Sequence, residues 1–222
     1  MSFDWTWFAK LAEGLPLTLE ITFSCIGIGI VLGVLLALGR VYGNRILRGF
    51  CLVYIQFFRG TPLLIQLFIV YNGLPNLGIT LSPLQSGILA LGLNTAAYQA
   101  EYFRGAIQAV RGGQMLAARS LGLSLPQAIR YAILPQALRL VLPSWSNEFI
   151  LMLKYSSIVF SVTLLDLFGK AKRLAGRDSR SFEIFLVAAL YYLLLVLIVS
   201  SLLRLLENRV RIPGLGAPSQ QR

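Results

Sequence analysis

Residues 101–143 read EYFRGAIQAVRGGQMLAARSLGLSLPQAIRYAILPQALRLVLP. An apolar run precedes this stretch and another follows it. Within it stand Arg104, Arg111, Arg119, Arg130 and Arg139, and its only acid is Glu101. A segment this basic between two membrane-length apolar runs is expected on the cytoplasmic side. Leu116, Ser120 and Leu123, with the pair Ala117 and Leu121, recur at three- and four-residue steps, which predicts an amphipathic helix. Gly122 interrupts it. Ser124 is placed to cap a second helix, with Pro126 in its first turn. A further interruption is expected at Pro135. The shape predicted is a short helix, a glycine break and another short helix.

Working outward, the composition agrees with a membrane setting. The 222 residues are 56% hydrophobic. Soluble domains hold about half apolar residues even when Gly is counted. The excess lies in runs long enough to span a bilayer, which takes about 20 residues each. The net charge is +11 with no His. Basic residues flank apolar runs, as the positive-inside bias requires, so the charge does not indicate nucleic acid. Cys25 and Cys51 lie in or beside apolar runs without metal-ligand spacing and read as reduced, small hydrophobes. The start, MSFDWTWFAKLAEG, lacks a basic n-region, so no cleavable signal peptide is expected. Trp5, Trp7 and Phe8 suit an interfacial segment over residues 1–14.

Five spans are expected, over residues 15–39, 50–74, 84–107, 140–165 and 184–206. This puts the N-terminus outside and the C-terminus in the cytoplasm. In the first, Gly29 and Gly33 permit close helix approach, read as packing within one subunit rather than as a dimer seam. In the second, Gln56, Arg59, Leu63, Gln66 and Val70 share one helical face. Gln66 lies deep enough for a cavity role, whereas Arg59 either faces a wet interior or snorkels to the headgroups. In the third, Asn94, Tyr98, Glu101 and Gly105 share a face, and Glu101 can pair with Arg104. In the fourth, Ser144, Glu148, Leu151 and Tyr155 form a polar face, with Asn147 and Ser156 beside it. A carboxylate two turns into a span is costly unless it lines water or has a partner. Glu148 therefore either contacts substrate or pairs with Arg59 or Arg139. The uncharged loop at residues 75–83 suits the outside. The mixed-charge segment at residues 166–183 reads as a helix, either merely solvated or offered to a soluble partner. The tail from Pro213 is rich in Pro, Gly, Ser and Gln and is expected to be disordered.

Several chemistries are missing. There is no G-x-x-x-x-G-K-[ST] phosphate loop and no G-x-S-x-G. No His is available as base or metal ligand, and no paired-carboxylate site has support. Enzymatic work and ATP binding are not expected of this chain.

The spacing Gly113-Gln114-x-x-Ala117-Ala118-x-x-x-Gly122, followed by Leu134-Pro135-Gln136-Ala137, resembles the EAA loop in membrane subunits of bacterial ABC importers. The flanks Glu101-Tyr102-Phe103-Arg104-Gly105 and Asn147-Glu148-Phe149-Ile150, and Arg59-Gly60-Thr61-Pro62-Leu63, are similar to the polar amino acid permeases. The resemblance covers residues 15–209. Leu116 stands where the motif has Glu, Ala132 where it has Ile, and Tyr155 where such permeases often have Asp.

The resemblance implies an all-α polytopic fold: five transmembrane helices and a cytoplasmic coupling helix. Residues 15–209 would form the transmembrane domain and residues 210–222 a tail. The implied function is the permease subunit of an ATP-driven amino acid importer in the bacterial inner membrane, working by alternating access. The implied partners are a second permease subunit, identical or homologous, two ATP-binding subunits and an extracytoplasmic binding protein, with lipid around them and no nucleic acid. ATP and Mg would sit on the partner ATPase, with no cofactor or metal on this chain. Ala117, Ala118, Arg119, Gly122, Leu123, Ser124 and Pro135 would couple to the ATPase. Glu148, Tyr155, Asn147, Leu151, Ser156, Gln66 and Arg59 are the candidate substrate contacts. A polar amino acid is expected, with a lean to a basic or amide side chain. The alternative is a self-contained ion-coupled carrier or channel, which would not need a docking loop broken at Gly122.

Overall fold

The computed structural model describes residues 5–110, 112–178 and 180–210. The expected disordered tail and Ser179 lie outside them. Every regular element among the described residues is helical. α1 (Thr6–Ala12) leads into α2 (Leu15–Tyr42), and the two together make a 37-residue apolar stretch. α10 (Ser181–Val210) is a second long apolar helix. Two further crossings are possible only as bent pairs. α3 (Arg45–Gly60) meets the helical run Leu63–Leu77, which begins with α4 (Leu63–Phe68), at 105°. The run Leu125–Val162, which contains α8 (Leu134–Tyr155), meets α9 (Leu167–Asp178) at 51°. By length and composition the chain thus has two to four candidate spans.

α5 (Pro83–Ala109) is 27 residues long and is not among those candidates. It carries Asn94, Gln99, Glu101 and Arg104 along its length. The reason is its position: it is the central helix, packed by α2, α3, α4 and α8. A helix hidden from lipid need not be apolar all round. Its small residues Ala96 and Ala100 face Gly33 of α2, and its Gly92 faces Ile28. The glycines at 29 and 33 therefore serve packing inside the subunit.

Three apolar clusters hold the bundle. The middle one joins Ile21, Cys25, Leu67, Leu91, Phe149 and Met152. At the start of α2, Trp7 and Leu11 pack with Leu167, Ala171, Ile184 and Val187. At its other end, Ala37 packs with Phe103, Ile107, Ile133, Ala137 and Val141.

Two expectations are corrected, one helix and one break. The span at residues 50–74 is not one helix, so its predicted single face does not exist. Thr61 is extended (φ −113°, ψ 146°) ahead of Pro62. The proline ring disfavours helical backbone at the residue before it, and proline has no N–H to donate. The chain also does not break at Pro135. A π-helical turn at Ile129–Ile133 precedes α8, and Pro135 lies in the first turn of that helix. The wider π turn absorbs the clash that proline would make with the carbonyl four residues back. At its far end α8 tightens into a 3₁₀ segment, Ser156–Val162.

The helix–glycine–helix shape is present. α6 (Gly112–Ser120) ends at Gly122, whose φ is +83°. Leu123 N–H bonds Ala118 C=O at 3.2 Å and Gly122 N–H bonds Arg119 C=O at 3.0 Å. This pair is the Schellman closure that left-handed backbone permits. Ser124 then opens α7 (Leu125–Ala128), its own N–H bonded to Gln127 Oε1 at 2.8 Å.

Candidate functional site

A cavity of about 320 Å³ lies between the α3–α4 break, α5 and the end of α8. This is the low end of small-molecule pockets, about 300–1,000 Å³. Glu148, Leu151 and Tyr155 of α8 form one wall. Their three- and four-residue steps place them on one helical face. Asn94, Tyr98 and Tyr102 of α5 form the facing wall, and Thr61, Pro62 and Leu63 close it at the break.

Glu148 is 4% exposed. Its Oε1 accepts from Thr95 Oγ1 at 2.7 Å and its Oε2 from Tyr102 Oη at 3.3 Å. Among the described residues it forms no ion pair, with Arg59, Arg139 or any other cation. The network runs deeper. Gln99, fully buried, donates to Thr95 Oγ1 at 3.2 Å and accepts from Trp145 Nε1 at 3.2 Å. Gln99 in turn fills the space left by Gly29. A buried carboxylate is tolerated only when such bonds replace lost water. Here they also fix its direction, towards the cavity.

The other expected contacts separate. Leu151 and Tyr155 line the cavity with Glu148. Asn147 is exposed and Ser156 buried, and neither is among the lining residues. Ser156 Oγ is spent on Leu153 C=O at 2.8 Å. Gln66 is also not a lining residue. Its Nε2 donates to Phe58 C=O, Thr61 C=O and Thr61 Oγ1 at 2.7–3.0 Å, and its Oε1 accepts from Asn94. It pins the α3–α4 break, where proline leaves carbonyls without helical partners. Arg59 stacks over Tyr98 at 5.2 Å from the ring centroid, beside the cavity. Glu101 pairs with Arg104 at 2.7 Å and also with Arg40 of α2 at 2.9 Å. Thr95, Tyr102 and Gln99 carried no distinct sequence signal beyond their place on a polar helix. Asn94 and Tyr98 were legible as one face of α5.

In the loop, Ala117, Arg119, Gly122 and Ser124 are exposed, Leu123 is half-buried and Ala118 is buried. Pro135 is exposed. Arg119 Nη1 donates to Leu123 C=O at 3.1 Å across the glycine break. Leu116 and Leu121 project into solvent, 69% and 84% exposed. Apolar residues so presented on a basic loop suit a protein partner.

Residues 29–212 match the profile of the family described as binding-protein-dependent transport system inner membrane component. The chain belongs to that family. It is a multi-pass inner-membrane component, the permease subunit of an ABC importer, with the ATPase on a separate chain. Membership sets aside the self-contained carrier. The permease is 38% identical to the nopaline transport system permease protein NocM of Agrobacterium fabrum, over 90% of this chain and 87% of that one. It is 34% identical to the glutamine transport system permease protein GlnP of Escherichia coli, over 96% and 100%. It is 39% identical to the histidine/lysine/arginine/ornithine transport system permease protein HisM of Salmonella typhimurium, over 88% of each. A crystal structure of an amino acid ABC transporter with histidines superposes with a TM-score of 0.85 at 39% identity, covering 94% of the permease and 100% of that chain. The inward-facing MetNI methionine ABC transporter has the same fold, with a TM-score of 0.81 at 22% identity over 95% and 100%.

Proposed function

We propose that this permease passes a polar amino acid with a basic or amide side chain through the cavity at Glu148. The observation that carries the reading is a buried carboxylate aimed into a cavity, held by two hydroxyls and, among the described residues, in no ion pair. An α-ammonium or basic side chain would complete it by a charge-assisted hydrogen bond. Tyr98, Tyr102 and Tyr155 add aromatic faces that attract a cation, by about 2 kcal/mol when desolvated. Relatives named for glutamine, for nopaline and for histidine, lysine, arginine and ornithine support the same class. Arg59, beside the cavity, is the group for the α-carboxylate.

The assembly follows the family: a second permease subunit, two ATP-binding subunits and an external binding protein. We read residues 15–209 as five spans, counting the bent pairs and the shielded α5 as crossings. Residues 1–14 form an interfacial segment and residues 210–222 a tail, with the N-terminus outside. The exposed turn around Gly122 docks on the ATPase, and closure of the ATPases rocks the bundle from inward to outward.

The test is uptake into proteoliposomes with saturating binding protein. Glu148→Gln should lower transport at least about tenfold while ATP hydrolysis changes far less. Equal uptake of several amino acids by the variant and the wild type would leave selection to the binding protein alone.

A further inference from the structure

A second cavity, about 230 Å³, lies at the α1–α9 junction. Lys170, Arg173, Leu174 and Arg177 line it from α9, and Lys10 and Glu13 from α1 and its following turn. On α9 these residues stand at i, i+3, i+4 and i+7, one face of the helix. The adjoining face, Leu167, Ala171 and Ala175, is buried against α1 and α10. Four cations thus converge with one carboxylate, and that carboxylate is engaged: Lys170 Nζ lies 2.6 Å from Glu13 Oε2. The nearby Asp178 is taken by Trp7 Nε1 at 3.0 Å. Among the described residues, no hydrogen bond or ion pair occupies Lys10, Arg173 or Arg177. Lys10, Arg173 and Arg177 are exposed and present an unmatched positive face to the hollow, which suits a negative occupant.

Depth identifies the occupant. α9 packs on the first turns of α10, at Ile184, Val187 and Ala188. The outward apolar residues of α10 begin there, at Phe182, Leu186 and Leu190. α1 runs straight into the long apolar α2, and Trp5 on it is 74% exposed, as in an aromatic interfacial belt. The cations therefore ring a hollow beside the start of the outward apolar face of α10, the level at which we place the headgroups. Basic pockets between membrane helices are known to bind anionic lipid head groups, chiefly on the cytoplasmic side, and this hollow would be the counterpart in the outer leaflet.

We propose that the hollow between α1 and α9 is a binding site for the phosphate of an anionic phospholipid, which staples the N-terminal helix to α9 and α10. The probe is phosphatidylglycerol, counted per permease chain by native mass spectrometry of the full importer complex released from mixed phosphatidylglycerol–phosphatidylcholine membranes. The wild type should retain this lipid. The double variant Arg173→Gln, Arg177→Gln should bind it at least about tenfold more weakly. Lys172→Gln, on α9 but outside the hollow, should not differ from the wild type. The wild type alone should also melt higher in phosphatidylglycerol than in phosphatidylcholine, a readout independent of any variant's folding. Equal retention by the double variant, or equal melting in the two lipids, would overturn the site. Displacement of the lipid by a like concentration of inorganic phosphate would make a free anion the occupant and overturn the lipid assignment. So would a double variant that keeps its lipid but loses stimulation by the binding protein, since the occupant would then be an acidic protein surface.

Discussion

Thr95 donates a 2.7 Å hydrogen bond to Glu148 from a helix 53 residues away in the chain. Thr95 Oγ1 accepts from Gln99, so its single proton is directed at the carboxylate. Thr95→Val keeps the shape and removes the donor. A hydrogen bond to a charged group contributes about 1.5–3 kcal/mol. Uptake should fall about tenfold or more, and Thr95→Ser should restore most of it. Wild-type transport by Thr95→Val would remove Thr95 from the site.

Gly29 and Gln99 occupy one space. A methyl at residue 29 would collide with the Gln99 carboxamide, whereas one at Gly27 would meet nothing within 4 Å. Gly29→Ala should lower the thermal stability of the purified permease by about 1–3 kcal/mol through overpacking. Gly27→Ala should be neutral or stabilising by up to about 1 kcal/mol. Thermal unfolding in detergent compares the two, and equal melting would refute the packing role.

Gly122 needs its backbone conformation rather than its lack of bulk. Its φ is +83°, and beyond its chain neighbours no atom lies within 4 Å of an added Cβ. A β-branched residue there strains the turn by roughly 1–2 kcal/mol. Gly122→Val should abolish substrate-stimulated ATP hydrolysis and leave the membrane bundle folded. Normal transport by that variant would mean that the turn does not transmit motion.

Orientation is tested by single cysteines introduced after Cys25→Ala and Cys51→Ala. A cysteine at Asn76, in the uncharged segment before α5, should react with an impermeant reagent added outside. One at Ser124 should react only from the cytoplasmic side. The reverse pattern would invert the proposed topology.

The sequence by itself determined that the chain is a helical membrane protein, which loop is basic, where that loop turns at Gly122, and that Glu148, Leu151 and Tyr155 share a face. Those signals are local: hydrophobic run length, charge bias and helical spacing act within a few turns of chain. It also carried the Thr61–Pro62 break, yet periodicity counted across the proline drew one continuous face where the backbone bends by 105°. Only the tertiary structure decided which polar residues meet. Gln66 could point to a cavity or to backbone, and the carbonyls freed at the break claimed it. Arg59 could have paired directly with Glu148, and it stacks on Tyr98 without forming that ion pair. Thr95, Tyr102, Gln99 and Trp145 become neighbours of one carboxylate only when α5 and α8 pack. In a low-dielectric interior each buried polar group must find a partner, and that partner is chosen by helix packing, which no local spacing records.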